Sequence, residues 1–115
     1  GSDDRIFGDA GTDTIYGDGG NDVIDGGSGD DVLRGGAGAD VFVFSLGAGS
    51  DQVLDFVDGQ DRLDFSGLTP SMADLDIVQT SASSITIHYF DGVSDVSLAL
   101  VSTAPIVLDS SDFLI

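Results

Sequence analysis

Aspartates recur every nine residues in the first part of this chain, and a bulky apolar residue follows each one two positions later. The aspartates are Asp4, Asp13, Asp22, Asp31 and Asp40, and the apolar residues are Ile6, Ile15, Ile24, Leu33 and Phe42. Read from Gly8, the units are GDAGTDTIY, GDGGNDVID, GGSGDDVLR and GGAGADVFV, which is G-G-x-G-x-D-x-U-x with U apolar and with Asp9 and Asp18 replacing the second glycine. Carboxylates at one phase of a glycine-rich turn suit a hard cation, because glycine also lets several backbone carbonyls face one side of a loop.

Calcium is the ion that this donor set favours. It takes roughly six to eight oxygen ligands in a tolerant geometry and commonly mixes carboxylates with backbone carbonyls. Magnesium requires a small octahedron and sheds water reluctantly, so a cage of converging carbonyls suits it poorly. Zinc lacks its usual ligands, because the chain has one histidine and no cysteine.

The repeats predict a backbone that alternates tight turns with very short strands. In each unit, G-G-x-G-x-D suits a turn, and x-U-x suits a three-residue strand whose apolar residue points inward. Two units then form one coil, and coils stacked right-handedly form an all-β parallel β-roll, a calcium-binding solenoid with about 4.8 Å between coils. We expect one sheet to bury Ile6, Ile24 and Phe42, and the opposite sheet to bury Ile15 and Leu33.

The repeat becomes irregular after Val43 but does not end there. Residues 47–53 restore G-x-G-x-D-x-U after a two-residue insertion, and residues 59–63 restore G-x-D-x-U after a further one-residue insertion. The aspartates then fall into two rows, one along each edge: Asp4, Asp22, Asp40 and Asp61 in the first, and Asp13, Asp31 and Asp51 in the second. The β-roll is therefore predicted to span residues 1–66.

Neighbouring turns on one edge are expected to share a calcium ion, each giving one Asp oxygen and about two carbonyls. This predicts sites between Asp4 and Asp22, Asp22 and Asp40, Asp13 and Asp31, and Asp31 and Asp51, with a fifth between Asp40 and Asp61 that depends on the insertions. The roll would hold about four to five ions. The other predicted ligand residues lie in the turns: Gly8, Ala10, Gly17, Asp18, Gly19, Gly20, Gly26, Gly27, Ser28, Gly29, Gly36, Gly38, Gly47 and Gly49.

Residues 67–115 lack the nonapeptide pattern and are predicted to form a β-sandwich-like cap over the open end of the roll, because exposed strand edges promote aggregation. Thr69 and Pro70 favour the start of a short helix that ends near Leu75. Strands are predicted at Asp76–Thr80, Ser84–Phe90 and Ser94–Val101, with a hairpin signal at Asp91-Gly92. In the second of these strands, Ile85, Ile87 and Tyr89 should point inward, and Thr86 and His88 outward.

Charge and composition exclude several classes of function. All 21 acidic residues are Asp, the net charge is −18, and the cations are Arg5, Arg34 and Arg62, so nucleic acid and anionic membrane surfaces are repelled. No apolar run approaches the roughly 20 residues of a membrane span. An EF-hand is excluded because the chain has no Glu, and a lone His88 without a G-x-S-x-G or H-E-x-x-H motif argues against a hydrolase. The chain is interpreted as a non-catalytic module.

The nonapeptides closely resemble the calcium-binding repeats of the RTX family. Residues 51–66 look like the end of the β-roll in serralysin-type metalloproteases, and Ser111–Ile115 are similar to the acidic and apolar C-termini of proteins exported by type I (ABC transporter) systems. The resemblance implies a C-terminal module of a larger bacterial protein that is secreted to the extracellular medium, with an upstream protease, lipase, epimerase, adhesin or toxin domain. It also implies that the module stays unfolded until it meets calcium.

The charge distribution independently favours folding on calcium. Without ions, seven aspartates in two close rows repel one another, and glycine-rich loops keep a high chain entropy. Calcium bound to the folded state alone would stabilise it. The alternative is a polysaccharide- or surface-binding accessory module, which would need an exposed aromatic or basic strip, and Tyr16, Tyr89, a few Phe and three scattered Arg offer little of one.

Overall fold

Short strands separated by glycine-rich turns make up the first part of the fold. The computed structural model describes residues 3–44, 49–57, 60–65, 76–90, 95–102, 106–107 and 112–114. The strands within these ranges are β1 Arg5–Phe7, β2 Thr14–Tyr16, β3 Val23–Asp25, β4 Val32–Arg34, β5 Val41–Val43, β6 Ser50–Val53, β7 Arg62–Asp64, β8 Asp76–Ser81, β9 Ser84–Phe90, β10 Asp95–Val101 and β11 Phe113–Leu114. The three-residue strands β1 to β5 match the predicted x-U-x segments.

The strands form two sheets that share one core. The first sheet has the order β1-β3-β5-β7-β11 and the second has the order β2-β4-β6-β10-β9-β8. In the first, Ile6 pairs in parallel register with Ile24, and Ile24 with Phe42. In the second, Ile15 pairs with Leu33. The predicted parallel β-roll and its division of the apolar residues between two sheets are confirmed, although Ile6, which was expected to be buried, is only partly buried.

Each of the strands β2 to β7 contributes one buried apolar residue to the core. Ile24, Leu33, Phe42, Val53 and Leu63 are completely buried, and each such side chain contributes about 1.5–3 kcal/mol relative to an exposed one. Towards the end of the roll the core becomes aromatic. The rings of Phe44 and Phe65 stack with centroids 5.2 Å apart, and Phe65 meets Tyr89 edge-on at 5.1 Å.

Left-handed backbone fixes the shape of each turn. The fourth residue of the turn has φ between 100° and 103° at Gly11, Gly20, Gly29 and Gly38, a conformation that only glycine adopts easily. The second residue is also left-handed, and φ is 66° at both Asp9 and Asp18. Aspartate tolerates this region better than most residues, so the turn keeps its shape where Asp replaces the second glycine.

The C-terminal strands extend both sheets of the roll. β10 pairs in parallel with β6, with Leu98 opposite Asp51, and then pairs antiparallel with β9, which pairs with β8. β11 pairs in parallel with β7, with Phe113 opposite Leu63. A separate sandwich-like cap is not confirmed. Direct pairing supplies hydrogen-bond partners to the exposed edges of β6 and β7, which a cap packed over the end would leave unpaired. The division into residues 1–66 and 67–115 stays a prediction.

The three predicted C-terminal strands are present, with bounds within one residue of the prediction. Ile85, Ile87 and Tyr89 are buried and His88 is exposed, as their alternation indicated. The predicted helix ending at Leu75, the Asp91-Gly92 hairpin and Gly47 lie outside the described residues. In the described part of the chain, no helix has the length and apolar character needed to cross a membrane.

Candidate metal sites between the turns

Two ladders of aspartate hydrogen bonds run along the two edges of the roll. On the first edge, the backbone N–H of Asp4 donates to Asp22 Oδ1, that of Asp22 to Asp40 Oδ1, and that of Asp40 to Asp61 Oδ1, each at 2.9 Å. On the second edge, the N–H of Asp13 donates to Asp31 Oδ1 and that of Asp31 to Asp51 Oδ1, also at 2.9 Å. The two rows therefore have the members and the order that the spacing predicted.

The second oxygen of four of these carboxylates has no hydrogen-bond donor. The buried, unpartnered atoms are the Oδ2 atoms of Asp13, Asp22, Asp31 and Asp40. A buried carboxylate oxygen without a partner costs far more than a paired one, and a bound cation removes that cost. Each of these atoms thus marks a place where a cation would be stabilised.

A backbone carbonyl lies beside the unpartnered oxygen in two of these places. A Cβ built on Gly17 would lie 2.6 Å from Asp22 Oδ2 and 2.8 Å from the carbonyl oxygen of Gly35 in the next coil. A Cβ on Gly8 would lie 2.6 Å from the Gly26 carbonyl oxygen and 2.9 Å from Asp13 Oδ2. A carboxylate and a carbonyl therefore converge beside the first glycine of these two turns, in a space that any side chain would fill. This mixture of oxygen donors fits calcium.

Further carbonyls point from each turn towards the turn stacked on it. The Asp9 and Gly11 carbonyl oxygens face Gly27 and Gly29, those of Asp18 and Gly20 face Gly36 and Gly38, and that of Gly29 faces Gly49. A Cβ on any of the facing glycines would overlap the carbonyl. In the described part of the chain, no three acidic or histidine side chains gather around one point, so carbonyls must supply much of any coordination shell.

The pKa values of the row carboxylates in the later coils are raised. Burial raises the pKa of Asp40 to about 7, the N–H of Asp22 that it accepts acts in the opposite direction, and the nearby charges of Asp61, Asp22 and Asp55 raise the pKa further. Burial likewise raises the pKa of Asp51 to about 7. The same cause raises the pKa of Asp31 and of Asp61. These shifts reflect negative charge collected in a space with little solvent.

A second ladder, at the residue before each row aspartate, stacks the turns without using these oxygens. The N–H of Asn21 donates to Asp3 Oδ1 at 2.7 Å, the N–H of Ala39 to Asn21 Oδ1 at 2.8 Å, and the N–H of Ser50 to Asp30 Oδ1 at 2.9 Å. These side chains are exposed. They hold the register of the coils and leave the Oδ2 atoms of the rows available.

The predicted ligand residues occupy the turns in three ways. The first glycines Gly8, Gly17 and Gly26 contact the row carboxylates, and Asp18, Gly20, Gly27, Gly29, Gly36, Gly38 and Gly49 take part in the stacked carbonyl contacts. Ala10, Gly19 and Ser28 lie at the third position of the same turns. Asp51 differs from the other row members because it lies inside a strand, β6.

Sequence reasoning missed four residues of these edges: Asp9, Gly11, Gly35 and Asp55. Asp9, Gly11 and Gly35 share their repeat positions with residues that were predicted, so the periodicity alone could have found them. Asp55 accepts the backbone N–H groups of Gly35 and Gly36 at 2.9 and 2.8 Å. Its signal was the spacing Asp51-x-Val53-x-Asp55, which places it where a regular unit has its first glycine.

Comparison with known proteins supports the repeat assignment. The family model for the RTX calcium-binding nonapeptide repeat (4 copies) matches residues 1–33 and 17–53. No curated protein matches the sequence at a significant level. Among solved structures, the chain is similar to the AlgE6R2 subunit of the Azotobacter vinelandii mannuronan C5-epimerase, with 29% identity, a TM-score of 0.67, and coverage of 98% of this chain and 88% of that one.

Two further structures share the fold. The AlgE6R3 subunit of the same epimerase has 29% identity and a TM-score of 0.55, covering 97% of this chain and 82% of that one. The extracellular lipase LipA of Serratia marcescens has 21% identity and a TM-score of 0.59, covering 99% of this chain but 20% of the lipase. Residues 1–53 of this chain therefore match the RTX calcium-binding nonapeptide repeat, and strands β1 to β6 within them lie in a parallel β-roll.

Proposed function

We propose that this chain is a calcium-folded module of a larger secreted bacterial protein, with ions held between stacked turns along both edges of the roll. The observation that carries the proposal is the set of buried, unpartnered Oδ2 atoms at Asp13, Asp22, Asp31 and Asp40. Without cations these charges destabilise the fold, because they are desolvated and lie near one another. When cations are bound, the same atoms hold neighbouring coils together by sharing an ion.

The distribution of these atoms supports four of the five predicted sites. They correspond to the pairs Asp13 and Asp31, Asp22 and Asp40, Asp31 and Asp51, and Asp40 and Asp61. The last pair is the one that the insertions had put in doubt. It keeps the same 2.9 Å contact between Asp40 N and Asp61 Oδ1 as the regular coils. We therefore propose at least four ions, with a further one between Asp4 and Asp22.

A calcium titration of the EDTA-treated chain tests this function. Far-ultraviolet circular dichroism should show loss of β-structure in EDTA and its recovery in millimolar calcium, because extracellular modules bind calcium with Kd near about 10⁻⁴–10⁻³ M. Equal concentrations of magnesium serve as the control and should restore little structure. A chain that is fully folded and equally stable in EDTA contradicts the proposal.

We further propose that Ser111–Ile115 contribute an export signal for a type I (ABC transporter) system and that an upstream domain precedes the module in the parent protein. Supporting this, the family and structural similarities lie with parts of secreted proteins, including an extracellular lipase. A chain that stays unfolded at low cytoplasmic calcium would suit passage through a transporter and fold after export.

A second candidate function is binding to an acidic polysaccharide. The guanidinium of Arg5 lies 5.8 Å from the ring centroid of Phe7, and that of Arg34 lies 6.0 Å from the centroid of Tyr16, and both rings are largely exposed. Arginine beside an exposed ring suits a sugar carboxylate and the apolar face of the same sugar. By its name, the epimerase of the two similar subunits acts on mannuronan.

Calorimetry with mannuronan oligosaccharides tests this candidate. Binding that is lost in Arg34→Ala and kept in Arg62→Ala would support it, since within the described residues an arginine lies over an exposed ring at Arg5 and Arg34 but not at Arg62. No heat of binding in millimolar calcium would exclude mannuronan as the ligand.

A further inference from the structure

Asp55 stands at the position where a regular unit has the first glycine of its turn. The spacing Asp31-x-Leu33-x-Gly35 in one coil becomes Asp51-x-Val53-x-Asp55 in the next. Gly17, Gly35 and Asp55 are therefore equivalent positions on the first edge. Among them, Asp55 alone brings a carboxylate.

The contacts of Asp55 replace a backbone interaction of the regular coils. The N–H of Gly8 donates to the Asp25 carbonyl and that of Gly17 to the Arg34 carbonyl, both at 2.8 Å. The N–H of Gly35 instead donates to Asp55 Oδ1 at 2.9 Å, and the N–H of Gly36 donates to Oδ2 at 2.8 Å. A charged side chain thus takes the place of a neutral carbonyl beside this turn.

The unpartnered oxygen of Asp40 lies against the same glycine. Asp40 is completely buried, and its Oδ2 atom has no hydrogen-bond donor and is the nearest atom to a Cβ built on Gly35. One coil earlier, the equivalent Asp22 Oδ2 has the Gly35 carbonyl beside it. Asp55 is the residue that follows Gly35 in this series, so it is placed to supply an oxygen opposite Asp40.

We propose that Asp55 is a calcium ligand and, with Asp40, completes a site at the end of the roll that carries more negative charge than the sites between regular coils. The inference rests on the proposed calcium function. In a regular coil the residue at this position is a glycine, whereas Asp55 adds a carboxylate whose charge acts on Asp40 and on Asp61. Affinity for calcium rises with the charge of the ligands, so this site fills at the lowest calcium concentration.

Anomalous diffraction from crystals of the whole chain grown in calcium tests the geometry directly. The expected result is an anomalous peak within about 2.3–2.6 Å of both Asp40 Oδ2 and an Asp55 oxygen. A peak beside Asp40 without an Asp55 oxygen in its coordination shell overturns the inference. So does the absence of a peak there when the interior sites are occupied.

Calcium titration against a competing chelator tests the affinity. Asp55→Asn should lose one ion from the tightest class or weaken that class about tenfold or more. Asp3→Asn is the matched control, because Asp3 also accepts a backbone N–H and carries the same charge, but is exposed at the opposite end of the roll. Both variants are compared at calcium concentrations at which their circular dichroism equals that of the wild type.

The outcomes separate this inference from the proposed function. An Asp55→Asn chain that melts at a lower temperature but keeps every calcium constant shows that Asp55 is a backbone cap, which overturns the inference alone. A wild-type chain that binds no calcium overturns the proposed function as well.

Discussion

At the scale of the single residue, Asp22 joins two coils through its two oxygens. Oδ1 accepts the Asp4 N–H, and Oδ2 lies with the Gly35 carbonyl beside Gly17. Asp22→Ala removes the hydrogen bond and the proposed calcium ligand, and loss of the charged hydrogen bond alone should cost about 1.5–3 kcal/mol. We expect it to lower calcium stoichiometry in calorimetry and to raise the calcium midpoint of folding more than Asp4→Ala does. Equal effects would argue against shared ions along the row.

Titration of the row carboxylates should couple calcium binding to pH. The pKa values of Asp40 and Asp51 are raised to about 7 in the metal-free fold, above the ordinary value of 3.8. The metal-free fold therefore binds protons that the unfolded chain does not between pH 3.8 and about 7, so it gains stability as the pH falls through 7 and loses it as the pH rises.

Calcium must displace these protons, so its apparent affinity should fall as the pH drops from 7 to 5. Calorimetry at pH 7 in buffers of different ionisation enthalpy should reveal proton release on binding, and little release at pH 8.5. Affinity that does not change over this range would contradict the assigned carboxylates.

At the scale of the element, the glycines of one turn have separable roles. Gly17 has ordinary φ, but a Cβ there would fill the space between Asp22 Oδ2 and the Gly35 carbonyl. Gly11 has φ of 102°, and a Cβ there would meet nothing within 4 Å. Gly17→Ala should therefore remove an ion, whereas Gly11→Ala should destabilise the turn by roughly 1 kcal/mol and keep the stoichiometry.

Equilibrium dialysis with radioactive calcium distinguishes the two variants, with thermal melts reporting their stability. If both keep the wild-type number of ions, the space beside Gly17 is not a metal site.

The repeat half of the fold could be predicted because its information is local and periodic. Each Asp, Gly and apolar residue recurs at a fixed phase, so the strands β1 to β5, their sheets and the rows of aspartates follow from one pattern. In the C-terminal half, the alternation within β9 and the turn signals predicted where the strands lie. Alternation says nothing about which edge a strand joins, so the pairing of β10 with β6 and of β11 with β7 was not predicted.

Asp55 was missed for a related reason. The insertions in residues 44–61 disrupt the pattern of the turns, and the row aspartates are the residues that preserve it. The spacing Asp51-x-Val53-x-Asp55 gives the position of Asp55, but only its contact with Gly35 shows which turn it faces.

At the scale of the whole molecule, the last described strand, β11, extends the first sheet. Asp112 is buried, and β11 pairs with β7. Deletion of Asp112–Ile115 should abolish export of a passenger fusion through a type I transporter, and it should also weaken the folded state by exposing the edge of β7.

The full-length Asp22→Ala fusion is the control, because it impairs calcium binding and keeps the C-terminus. Export measured in the culture medium should be lost on truncation and retained in Asp22→Ala. Normal export of the truncated fusion would place the signal elsewhere, and equal losses in both would mean that export depends on folding.

Both edges of the roll use the same kind of turn. The smallest unit by which this protein can change length is therefore one nonapeptide, and not one full coil of two. Excision of Gly17–Asp25 would bring Ile6 opposite Leu33 and Ile15 opposite Phe42, because strands eighteen residues apart pair throughout the regular repeats. Each strand after the excision would then lie in the opposite sheet relative to β1 and β2. Its turn, apolar residue and carboxylate would still face the equivalent positions of the neighbouring coil. The roll would thus change length in steps of about 2.4 Å, half the spacing of adjacent coils, and the proposed calcium function predicts that one ion is gained or lost at each step.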